Sequence, residues 1–278
     1  DYITFKDNYD RIGAFSIEMW VKPEDLVGTQ SLFSKRNAND LTTGYDLRLS
    51  GGSVQFYWGN NAISSNAIDA KTWHHIAVTF NGSVYKLYID GVERASQNSN
   101  MIPIPNSMDC ILGAMDQSNN PPNKPVNYFH GWIDELRIWN KALDAQHIRQ
   151  MMNQEIKLSG GDDVIGEIIP IKISGPDTTQ NGTDDDPLLW SNLDGYYRMG
   201  ENCGYLTPAK GSLNGRLRNI TTSQEETAPL PYKSANSGLL WDNNNSWEQP
   251  VVWYTPNSTL FGTKIDWNIV QVNNNVES

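Results

Sequence analysis

Cysteine is nearly missing from this chain, with Cys110 and Cys203 the two present in 278 residues. Two are too few to staple a small scaffold, and their spacing matches no zinc pattern. Cys110 sits in the apolar stretch Met108–Leu112 and reads as a small buried residue; a bridge to Cys203 is the other reading. Clustered Lys and Arg are also absent: 21 basic residues against 32 acidic ones leave a net charge of −11. That balance argues against nucleic acid, whose phosphates need a basic patch, and against docking on an anionic membrane. No apolar run approaches the roughly 18 residues of a transmembrane helix. A Gly-x-Ser-x-Gly elbow is lacking, and neither cysteine stands beside a histidine. A signal peptide is absent too, which carries little information for a sequence that begins inside a strand-like stretch.

Turns and aromatics are plentiful: 22 Gly, 14 Pro, 10 Trp and 12 Tyr. This composition predicts an all-β protein with long loops, at a length between one large β domain and two small ones. Thr72–Gly91 organises the chain. His74, Ile76, Val78 and Phe80 alternate onto one strand face, as do Tyr85, Leu87 and Ile89. Asn81-Gly82 and Asp90-Gly91 supply the positive φ of tight turns, so the segment reads as a three-strand meander.

Further strands are expected at Asp1–Phe5, Phe15–Pro23, Ser31–Lys35, Gly44–Ser50, Ser53–Trp58, Met108–Ala114 and Gly131–Trp139. Arg36–Thr43, Ser96–Pro105 and Met115–Asn127, with its Asn119–Asn123 cluster, read as loops. After Trp139 a short helix is predicted, with Asp144 as N-cap, Leu143 stapled against Ile148, and Ile148, Met151 and Met152 as its apolar stripe. Residues 155–187 change character: SGGDD, SGPD and NGTDDDP punctuate one apolar patch, which predicts a polar linker with at most one strand.

Three of these stretches carry a family resemblance. Trp73-His74-His75 with its following strand and Leu87-Tyr88-Ile89-Asp90-Gly91, Phe15–Pro23 upstream, and Gly131–Asn140 with Ala142–Met152 downstream resemble, in order and spacing, the signature of LamG-like domains. These belong to the concanavalin A-like lectin/glucanase sandwiches. The resemblance implies a jelly-roll β-sandwich with a short C-terminal helix over 1–154. Leu188–Asn219 resembles the opening strand of another such domain, and Trp241–Val272 looks like the Trp-rich entry to β repeats in large secreted surface proteins of Bacteroidetes-type bacteria. A second β-rich module is therefore expected at 188–278. Asp177-Thr178-Thr179 resembles an O-glycan attachment site of the same bacteria, with a plain linker as the other reading.

The resemblance also supplies candidates for chemistry. Glucanases of this fold carry Glu-x-Asp-x-x-Glu, and no such string occurs here; Asp134 and Glu135, adjacent in a strand, are expected to face opposite sides. His74 and His75, consecutive as well, read as framework and not as a metal site. Asp134, taken to share a face with Trp132, Leu136 and Ile138, is nominated with Asp1 as ligand to a structural Ca²⁺, against an alternative in which it accepts backbone N–H groups. Trp58 and Tyr128 are nominated to contact a glycan. The expected function is non-catalytic: an extracellular, cell-surface adhesion or recognition module of a multidomain bacterial protein, binding a glycan or a surface protein beside neighbouring domains of the same chain. A structural spacer and an accessory module of a polysaccharide-degrading enzyme are the alternatives.

Overall fold

The computed structural model describes every residue except 118–124, 184, 201–203, 221–223, 225, 226, 236, 249–258, 275 and 278. The Asn119–Asn123 cluster, Cys203 and the middle of Trp241–Val272 thus lie outside the described residues.

Two sheets face each other. In chain order the strands are β1 (Tyr2–Thr4), β2 (Phe15–Pro23), β3 (Thr29–Asn37), β4 (Asp40–Ser50), β5 (Ser53–Trp58), β6 (Asn61–Ala67), β7 (His74–Phe80), β8 (Val84–Ile89) and β9 (Val92–Asn98). There follow β10 (Ile111–Leu112), β11 (Gly131–Trp139), helix α1 (Ala145–Met151), β12 (Ile156–Leu158), β13 (Val164–Gly166), β14 (Leu193–Tyr197), β15 (Tyr205–Leu206) and β16 (Gly215–Arg218). The larger sheet runs β15-β16-β1-β10-β3-β4-β5-β6 and the smaller β14-β11-β2-β7-β8-β9. This is the expected all-β sandwich with its short C-terminal helix.

Alternation builds the core between the sheets. Phe15, Ile17, Met19 and Val21 of β2 and Ile76, Val78 and Phe80 of β7 meet Tyr45, Leu47 and Leu49 of β4 and Val54, Phe56 and Trp58 of β5 in one apolar cluster. The Asp90-Gly91 turn closes β8 onto β9 with φ of 52° and 76°, the left-handed pair that a two-residue hairpin needs. β6 was not among the expected strands; its Asn61–Ala67 sequence is mostly polar because it forms an exposed sheet edge.

The expected boundary at 154 is not where the sandwich stops. β12 and β13 pair within the stretch predicted as a linker. Its Ile156, Val164 and Ile173 are fully buried with Trp139, Leu143, Ile148 and Met151, so this segment is a packed cover and not a solvated tether. Beyond it, β14 pairs with β11 and β16 pairs with β1, adding strands at the edge of each sheet from residues assigned to a second module. The predicted cap is present: Asp144 accepts the His147 N–H at 3.0 Å, and Leu143 and Ile148 share one cluster.

Candidate functional site

The outer face of the larger sheet is polar where β3, β4, β5 and β6 lie side by side. Cross-strand register sets two transverse rows on it: Ser34, Asp46, Tyr57 and Ala62, then Ser31, Arg48, Gln55 and Ser64. The local cause is period two. In Ser53–Trp58, Val54, Phe56 and Trp58 enter the core, which leaves Ser53, Gln55 and Tyr57 half-buried on the outside. Small serines flank the long side chains, so Arg48, Gln55 and Tyr57 stand above a low floor.

These side chains hold one another. The Arg48 guanidinium lies 3.8 Å from the centre of the Tyr57 ring, its Nε donates to Gln55 Oε1 at 3.2 Å, and its Nη1 is 3.6 Å from Asp46 Oδ2. Arg36 lies 5.6 Å from the same ring and donates to the Leu41 and Gly59 carbonyls. Asp46 is fully buried, and burial pushes its carboxyl up to about 6 even though Arg48, Ser31 and Arg36 hold it down. The arrangement is a rigid, cation-bearing polar surface suited to hydrogen bonding, with a carboxylate too deep to reach a ligand.

The nominated residues fall elsewhere. Trp58 is 1% exposed and its ring stacks 3.8 Å from that of Tyr85, so it is a core residue and not a glycan contact. Its neighbour Tyr57 takes the outer position. Tyr128 is exposed, its ring 6.0 Å from that of Tyr2. Asp1 and Tyr2 line a cleft of about 320 Å³ with Phe129, Trp132, Met199 and Leu217, and Tyr128 reaches it only through its ring contact with Tyr2. Asp134 is not part of it.

Asp134 shares its face with Trp132 as expected, but not with Leu136 and Ile138. Glu135 has a φ of 52°, and the pairing of β11 with β2 shifts register between Asp134 and Arg137. This bulge places Leu136 and Ile138 in the core between the sheets and turns Asp134 toward the opposite side, where Trp20 and Ala228 lie. Glu135 faces that side as well, bonded to Arg137 and to Tyr196, so the expectation that adjacent carboxylates diverge fails at the bulge. The Asp134 oxygens accept the Glu135 and Ala228 N–H groups at 2.9 and 3.0 Å, and burial pushes its pKa up to about 7. A carboxylate turned to two amide donors and sealed from solvent does not fit a calcium site, which needs six or more oxygens around the ion. Among the described residues, no group of three His, Cys, Asp or Glu is placed to hold a metal.

The smaller sheet's outer face is closed over an ionic network. Glu18 lies 3.4 Å from His75 Nε2 and 3.7 Å from Arg137 Nη1, while Arg137 Nη2 is 2.5 Å from Glu135. Burial alone raises Glu18, but His75 and Arg137 outweigh it and hold the carboxyl below the ordinary range. α1 and the segment after it cover these groups: Arg137 donates to the Met151 and Gln154 carbonyls and Trp20 to that of Met152. His74, on the other side of its strand from His75, bonds Asp90 at 2.8 Å. Both histidines are framework, as expected from the sequence. Cys110 is buried, and burial pushes its thiol up to about 12.

Comparison with known proteins agrees with this architecture. Residues 1–149 match the Laminin_G_3 profile, described as the concanavalin A-like lectin/glucanases superfamily. The sushi, von Willebrand factor type A, EGF and pentraxin domain-containing protein 1 of Rattus norvegicus is 24% identical over 160 residues, which cover 54% of this chain and 4% of that protein. Among solved structures, a protein of Bacteroides ovatus proposed to bind carbohydrate aligns over 82% of this chain and 59% of its own, with a TM-score of 0.55 and 15% identity. The CBM40 of a Ruminococcus gnavus sialidase aligns over 48% of this chain and 79% of its own, with a TM-score of 0.42 and 15% identity. With more than half its length matched and both sheets in place, the chain belongs to the Laminin_G_3 family of the concanavalin A-like lectin/glucanases superfamily.

Proposed function

We propose that this chain is a non-catalytic glycan-recognition module that takes its ligand on the outer face of β4, β5 and β6. The observation that carries the reading is the Arg48–Tyr57 pair, held at 3.8 Å above a floor of small polar side chains on a half-open sheet face. Such a face offers hydrogen-bonding groups whose geometry is fixed before binding, which lowers the ordering cost of recognition. Membership of a lectin-bearing superfamily and the likeness to a Bacteroides ovatus protein proposed to bind carbohydrate support the ligand class. Fold alone does not supply it.

The setting is extracellular, in a longer multidomain protein that adheres to or displays on a surface. The rat relative, of which the chain covers 4%, is itself many times longer than the matched region. Catalysis has no place in this reading: the adjacent carboxylates Asp134 and Glu135 are 3% and 2% exposed and tied to amide, guanidinium and phenol partners. The Asp134 carboxylate, turned to two amide donors, supplies no calcium ligand in this reading.

A glycan array on the whole chain, followed by titration of Tyr57→Ala, tests the assignment. Array signal that disappears in a Tyr57→Ala protein of unchanged circular dichroism supports it. A blank array, or binding indifferent to Tyr57→Ala, sinks it.

A further inference from the structure

Resting on that reading of the β4–β6 face, we infer that the face selects acidic sugars, with the carboxylate of a uronic-acid-type residue received by the Arg48 guanidinium. The Arg48 guanidinium keeps donor capacity that its neighbours on the face do not use. Arg48 uses Nε on Gln55 and turns Nη1 toward Asp46, while its Nη2 makes no hydrogen bond among the described residues and its side chain stays 17% exposed. The half-buried Tyr57 hydroxyl likewise has no hydrogen-bond partner among the described residues. A guanidinium N–H and a phenol hydroxyl, which can donate or accept, are thus left for a ligand.

The acceptors that touch Arg48 are already buried or engaged. Asp46 is 0% exposed, and Gln55 Oε1 already faces Arg48. A neutral sugar hydroxyl needs an acceptor as often as a donor, whereas a carboxylate only accepts. Placement, not net charge, singles out one cation. Between β3 and β5 the guanidiniums of Arg36 and Arg48 are matched by the carboxylates of Asp46 and of the exposed Asp40 at the start of β4, and Asp40 sits near Arg36. Arg36 is 2% exposed and bonded to two carbonyls, so the accessible cation is Arg48. Stacking on Tyr57 and the bonds to Gln55 and Asp46 hold that guanidinium in one orientation, and a fixed guanidinium edge matches a carboxylate better than a lysine does.

Isothermal titration of the whole chain with oligogalacturonate, alginate oligomers and hyaluronate fragments, each beside its methyl ester, tests the inference. At least one acid is expected to bind 10-fold or more tightly than its ester, and to weaken several-fold between 50 and 300 mM NaCl. Arg48→Gln should erase the difference, and Arg48→Lys should restore only part of it, with the melting temperature of each variant recorded to separate binding from folding. Equal affinity for acid and ester, lost together in Tyr57→Ala, overturns acid selection and leaves the glycan face standing. Failure of every acid in the panel alongside a neutral array hit overturns it as well. Failure of the panel with a blank array removes the underlying reading too.

Discussion

The two sheets treat their outer faces differently. On the smaller sheet, α1 and residues 152–190 close over Glu18, His75, Glu135 and Arg137, so charges that alternation would leave in water are buried and paired. On the larger sheet, Arg48, Gln55 and Tyr57 occupy the equivalent outward positions and stay half-open. One face holds the fold together through a covering segment, and the other is left to meet a ligand. Polarity alone does not distinguish them. What distinguishes them is whether later chain packs on top.

The contrast is broken most severely by removing the cover. A chain cut after residue 154 loses β12 to β16, removes Ile156, Val164, Ile173 and Leu188 from the Trp139 cluster and takes Tyr196 away from Glu135 and Arg137. It is expected to lose cooperative folding, seen as a collapsed near-ultraviolet dichroism signal and absence of a thermal transition. Next in size, Arg137→Ala leaves Glu18 and Glu135 buried without their cation and should cost about 3–5 kcal/mol in chemical denaturation. Tyr57→Ala, on the open face, should cost about 1 kcal/mol or less while abolishing binding. Trp58→Ala, one residue away but inside the core, should instead cost about 3–5 kcal/mol, and any binding it loses should track unfolding.

A smaller effect is read from pH. Asp46 and Asp134 have folded pKa values raised to about 6 and about 7 by burial, above the unfolded value of roughly 3.9. The folded protein therefore retains protons that the unfolded chain has released. The stability this provides is present below about pH 4 and is lost as pH rises through 6 for Asp46 and 7 for Asp134. Glu18, held below its ordinary value, acts in the opposite sense at lower pH. Denaturation midpoints between pH 5 and 8 should fall in the wild type and fall less in Asp46→Asn. The smallest expected change is none: exchange of calcium for chelator should leave the melting temperature unmoved, because the Asp134 oxygens already face amide donors.

Much of the sandwich was legible because period two is written plainly wherever one face enters the core. Phe15–Pro23, Ser53–Trp58 and Gly131–Trp139 begin and end as expected, and the Asp144 cap is in place. Site residues were read less well. The alternation that marks Ser53–Trp58 as a strand also assigns Tyr57 outward and Trp58 inward, so the strand's own period names Tyr57, not Trp58, as the surface aromatic. Asp134 was misplaced for another reason: one left-handed residue, Glu135, resets the alternation halfway along β11, and a glutamate in that conformation has no sequence signature.

The sequence by itself determined most strands of the two sheets up to β11, the turn between β8 and β9, the helix cap and the family, because these depend on local periodicity and on residues that tolerate particular backbone angles. Only the tertiary structure decided that β12 to β16 pack on or extend the sandwich, that the charges of β2 and β11 lie under a cover, and that Arg48 and Tyr57 stand together in the open. Those outcomes depend on which distant segment packs on which sheet face. That choice is set by the summed burial of many side chains and is not encoded in any one stretch.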